Sequence, residues 1–157
     1  MTLLTLTRIL EAVALQQPSV KTVVENDVFR LNSLPNVDYG VFAWTQGTHT
    51  GNPDSGLRRF AFTLFYVDRL RTDQRNQIEV QSVGVDTLAN IIKIMCDDYD
   101  AEVADYQITT FNQRFADECA GAFATVLFDV PAVGFCTDEI PGDYNLDFGP
   151  DFWRHIV

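Results

Sequence analysis

A chain of 157 residues, 46% hydrophobic and 21% charged, is long enough for one packed domain and too apolar for a disordered one. Its 22 acidic side chains outnumber the 11 basic ones; the formal charge of -11 argues against DNA binding through a basic groove, because affinity for phosphate comes from Lys and Arg. The 3 cysteines, Cys96, Cys119 and Cys136, are odd in number and lack a C-x-x-C pair, which argues against a disulfide framework and against a zinc site and points to buried thiols in a reducing compartment.

Residues 1–7 lack a basic start, and Arg8 and Glu11 interrupt any apolar run, so no signal peptide is expected. No stretch reaches the ~18–20 apolar residues of a membrane span, and no N-x-[ST] sequon occurs. The chain reads as soluble and intracellular, with no membrane partner.

Leu6, Ile9, Leu10 and Val13 form one apolar stripe at helical spacing and predict a helix over residues 5–17, stopped by Pro18. Residues 20–25 are β-branched and predict a short strand ending at the Asn26-Asp27 turn, with residues 28–31 continuing in extended form. Residues 39–45 and 58–70 predict two strands of a long hairpin, and the Gly-, Thr-, Asn- and Ser-rich residues 46–57 its looped tip. In the second strand Phe60, Phe62, Leu64 and Tyr66 share one face while Ala61, Thr63, Phe65 and Val67 share the other. Apolar residues on both faces predict cover on both sides, helices on one and a neighbouring subunit on the other.

After a polar connection at 72–77, Ile78, Val85, Leu88, Ile91, Ile92 and Met95 mark a helix that ends near Asp97. Gly84 weakens its first half by about 1 kcal/mol relative to Ala, so a late start is expected. Residues 105–111 and 120–130 predict two further strands, the last closed by Pro131. The order predicts an α+β fold: an antiparallel sheet with a long hairpin and two helices packed on one face, spanning residues 1–131.

Residues 132–157 read as an extended arm. They carry Pro141, Pro150, Gly134, Gly142 and Gly149 and no helical or strand period, yet hold Phe135, Tyr144, Phe148, Phe152 and Trp153. A disordered tail is poor in aromatics, so these predict docking, with Phe148, Phe152 and Trp153 as anchors on the chain's own domain or on a neighbour.

The residues offer no chemistry. The only histidines are His49, in the hairpin loop, and His155, beside Trp153 and Arg154; neither has the sequence context of a general base or a zinc ligand. Asp97-Asp98-Tyr99-Asp100-Ala101-Glu102 begins like a calcium loop, but counting from Asp98 the sixth position is Val103, not Gly, and the twelfth is Thr109, not Glu. Gly47-Thr48-His49-Thr50-Gly51 lacks the ending of a phosphate loop, and Cys119 has no His nearby in sequence. No catalytic residue, metal or cofactor is expected.

Charge is segregated instead. Arg58, Arg59, Arg69, Arg71 and Arg75 lie in one strand and its following turn, against only Asp68 and Asp73. From Asp97 onward there are 13 acids, with Asp97, Asp98, Asp100 and Glu102 forming an acidic surface, against only Arg114 and Arg154. A basic and an acidic patch on one chain suit head-to-tail contact between copies.

One set of features resembles a known family. The strand Arg59 to Leu70, the Asp73-x-x-Asn76 entry into a helix, Phe111-x-x-Arg114-Phe115-x-Asp117, and a strand ending Val130-Pro131 before Cys136 look like neck and tail-completion proteins of tailed phages, including crAss-like ones. The likeness covers residues 37–136, and the acidic arm after Cys136 departs from it. It implies a tail-terminator-like α+β fold without enzyme activity and a virion protein of the neck or tail, assembled in the host cytoplasm. Its members form six- or twelve-fold rings stacked on adjacent neck, portal or tail proteins. DNA passes through the lumen without specific binding. Two other readings stay open: an acidic DNA-mimic inhibitor, and a small-ligand or metal-binding module.

Overall fold

The computed structural model describes residues 1–34, 36–52, 54–73, 75–112 and 118–131. Thr2 opens α1 (Leu3–Leu15): its backbone is extended and its side-chain oxygen accepts from the Thr5 N–H at 3.1 Å. The predicted stripe points inward, with Leu6, Leu10 and Val13 fully buried.

Six strands follow among the described residues: β1 (Thr22–Val24), β2 (Val41–Gln46), β3 (Thr50–Asn52), β4 (Leu57–Arg69), β5 (Tyr106–Asn112) and β6 (Cys119–Pro131). The sheet runs β1-β2-β4-β6-β5, with β3 beside β4. At its centre β4 and β6 pair antiparallel over their whole lengths, from Leu57 opposite Pro131 to Arg69 opposite Cys119. The fold is α+β, as the element order implies. The sheet is mixed rather than wholly antiparallel, because β1 runs parallel to β2. The 16 residues between Val24 and Val41 are enough for the crossover that a parallel pair requires.

That crossover overturns the extended continuation expected at 28–31. Asp27 accepts from the Phe29 N–H at 2.8 Å and caps a 3-10 helix, Val28–Ser33. The hairpin of β2 and β4 is present, and β3 lies within its loop; Thr50, Gly51 and Asn52 are all exposed, so no apolar pattern marks the strand.

The second helix, α2 (Gln77–Tyr99), starts at once and not late. Gly84 is buried where the helix meets the sheet, and a Cβ there would stand 3.0 Å from the Tyr66 ring and 3.2 Å from the Ala122 Cβ. Close helix–sheet packing offsets the poor helix propensity.

α2 packs across β4, β5 and β6, while α1 packs on α2 and beside β1. Their core takes Phe42 and Trp44 of β2, Phe60, Phe62, Leu64 and Tyr66 of β4, and Ala122, Ala124, Val126 and Phe128 of β6. On the other face Val28, Leu31, Val37 and Tyr39 cover Val41, Ala43, Val67, Phe111 and Cys119. This flap reaches one end of the face only. Phe65 and Phe123 pack half-buried at its margin; beyond them Ala61 and Thr63 stay half-buried, and Leu57 and Leu127 are each 41% exposed.

Candidate interaction surface

The five arginines of the predicted basic patch do not meet. Arg58 and Arg59 sit at one end of β4 and Arg69 at the other, 10 residues away, or about 33 Å. Arg59 is already matched within its own chain. Its Nε and Nη2 each donate to the Asp129 carboxylate at 2.7 Å, across the β4–β6 ladder. This two-pronged bond holds the Asp129 carboxyl below its usual range and pushes the Arg59 guanidinium up.

At the other end, Arg69 lies over the Tyr39 ring at 5.9 Å and Arg75 pairs with Asp73 at 3.4 Å. The Arg71 N–H donates to Asn76 Oδ1 at 2.8 Å, and Asn76 Nδ2 donates to the Arg69 carbonyl at 3.3 Å. The Asp73-x-x-Asn76 motif thus has a physical role: it folds the turn that presents Arg69, Arg71 and Arg75. The fold also brings Glu79 and Glu118 to this end, from the first turn of α2 and from just before β6. Three arginines therefore share their end with Asp68, Asp73, Glu79 and Glu118, a mixed rather than a basic surface.

The acidic run lies opposite, at the C-terminus of α2. Asp97 pairs with Lys93 one turn back, Asp98 is exposed, and Asp100 ends the helix in the left-handed region at φ 53°. Glu102 exchanges backbone hydrogen bonds with Asp129, at 3.0 and 2.8 Å. Here the acids stand next to the Arg59 end of β4, not the Arg69 end.

His49 serves its loop. Its Nε2 pairs with Gln46 Oε1 at 3.2 Å, and its ring meets Phe60 edge-on at 5.2 Å. Cys119 is buried, Cys96 half-buried, and neither forms a disulfide. Among the described residues no group of three or more His, Cys, Asp or Glu is placed to hold a metal ion, and no helix is long and apolar enough to cross a membrane. Phe148, Phe152, Trp153, Arg114, Cys136 and the whole of 132–157 lie outside the described residues.

What the sequence reading missed lies along β5. Tyr106 is exposed, Ile108 half-exposed, and beside them Ala89, Lys93 and Cys96 of α2 wall an open groove. The signal available was the uncharged run from Tyr106 to Asn112. No family model and no curated protein matches the chain.

Proposed function

We propose that this chain is a structural subunit that assembles with copies of itself into a ring of the head–tail connector or tail-completion kind. The observation that carries the reading is the second face of the sheet. Two 13-residue strands build a face whose far half sets Ala61, Phe65, Phe123 and Leu127 beside Thr63, Thr125 and the Arg59–Asp129 pair, and this half is only half-covered by described residues. A long face with exposed large apolar side chains interspersed with polar ones has the composition of a protein–protein contact surface. The family resemblance of residues 37–136 supplies the kind of assembly: six- or twelve-fold, adjoining neck, portal or tail proteins, with DNA passing through.

The excess of acid fits a lumen that DNA traverses without adhering, since phosphate contacts are what would hold it. The test is the assembly itself. Light scattering and negative-stain images of the purified chain should give closed rings of one stoichiometry. A monodisperse monomer at all concentrations overturns the proposal.

A further inference from the structure

β5 is the outermost strand on its side of the sheet, and no described strand lies beyond it. Sheet edges are normally blunted by shortness, lysine, proline or a bulge. Tyr106–Asn112 has none of these: it is 7 residues long, uncharged, free of proline, and pairs with β6 without interruption. The opposite edge is guarded, for β1 is only 3 residues long and lies between Lys21 and Glu25.

Beside this edge runs a groove of about 350 Å³, lined by Ala89, Asn90, Ile92, Lys93, Cys96 and Asp97 of α2 and by Val103 and Tyr106. A strand edge next to a helix is the geometry that accepts an extended segment as an added strand. Main-chain hydrogen bonds supply affinity, and alternate side chains enter the groove.

The arm contains such a segment. Tyr144-Asn145-Leu146-Asp147-Phe148 alternates apolar and polar residues between Gly142 and Gly149-Pro150. We infer that residues 144–148 of a second copy add to the edge of β5, antiparallel to it, with Tyr144, Leu146 and Phe148 in the α2 groove. The inference rests on the proposed self-assembly and names the seat of one contact within it.

Direction and charge favour a second copy over the chain's own arm. β6 ends at Pro131, beyond Val126, which faces Tyr106, so the chain's own arm starts at the Tyr106 end of β5. From there it would run parallel to β5, the less stable pairing, and its leading Asp138, Glu139 and Asp143 would pass Asp98, Asp100, Glu102 and Asp105. An antiparallel segment enters at the Asn112 end, where Arg69, Arg71 and Arg75 stand among Asp68, Asp73, Glu79 and Glu118, and its leading acids stay clear of the run from Asp98 to Asp105. The 12 residues before Tyr144 extend up to ~40 Å, enough to cross between copies.

Cys96 provides the test. A full-length donor chain carries Phe148→Cys, Cys96→Ser and Cys136→Ser, and a full-length, tagged acceptor carries only Cys136→Ser. Burial pushes the Cys96 thiol up, so the mixture is oxidised at mildly alkaline pH. The expected product is a donor–acceptor heterodimer, with peptide mapping placing the bond between Cys96 and the introduced thiol. In the acceptor, Ala89→Trp, which fills the groove, and the exposed change Lys93→Glu should each remove most of that product. Rings forming normally with no heterodimer overturn this seat while leaving the ring reading intact. A heterodimer undiminished by both acceptor variants also overturns it. So does a chain bearing Phe148→Cys and Cys96 together that links only within itself. Monomers throughout, by light scattering, sink the ring reading as well.

Discussion

Gly121 faces the tightest approach in the sheet: a Cβ there would stand 1.8 Å from the Tyr66 carbonyl oxygen on the adjacent strand. No side-chain motion relieves a clash with main chain, so β4 and β6 would have to part. Gly121→Ala should cost about 3 kcal/mol or more in urea unfolding, and a loss under 1 kcal/mol would show that the strands pass each other differently. The Arg59–Asp129 pair makes a prediction of opposite kind, small and dependent on pH. Because the folded Asp129 carboxyl is held below its unfolded value, the pair stabilises above the ordinary carboxylate range, near pH 4, and the contribution fades as pH falls through the folded value. Asp129→Asn should therefore be less stable than the parent at pH 7 and approach it at pH 3. A gap independent of pH in chemical denaturation would count against the ion pair.

Elements differ in how openly the sequence declares them. α1, β4 and β6 were legible because their apolar residues repeat at 3.6 or at 2, and packing reinforces the same pattern. The 3-10 helix escaped because an Asx cap at Asp27, not periodicity, sets it; β3 escaped because its side chains all face water. Of the site residues, the sequence located the arginines but not their partners. Arg59 opposite Asp129 is a fact of register between strands 70 residues apart, which no local pattern carries. The C-terminus of α2 is a further case, where the acids oppose the helix dipole. Asp98→Asn should raise stability by ~0.3–1 kcal/mol in thermal unfolding, and an unchanged or lowered midpoint would mean that Asp98 has a stabilising partner. The arm is the element with most at stake. Removing residues 134–157 should leave unfolding of the domain unchanged and weaken assembly; rings from the truncated chain as stable as those from the intact one would remove the arm from the interface.

At the scale of the whole molecule the two ends of the long strands carry different surfaces. Arg69, Arg71 and Arg75 stand among Asp68, Asp73, Glu79 and Glu118 at one end, and the acids after Lys93 lie beside Arg59 at the other, so each end offers both signs of charge to a stacked copy. Reversing both arginines to Glu should abolish assembly with the monomer still folded, and added salt should weaken the parent's assembly in the same direction. Normal rings from the reversed protein would end that argument.

The central ladder has a consequence in time as well as in space. Each residue of β4 finds its β6 partner between 50 and 74 positions further along the chain. Loop closure on that scale must precede any reward, which places refolding among the slower two-state domains, in milliseconds to seconds. Until β6 is made, β4 offers an unpaired apolar edge between Leu57 and Arg69 to any chain nearby. Synthesis halted anywhere between Tyr99 and Cys119 would therefore leave a hairpin and two helices around an open middle, a species that aggregates rather than waits.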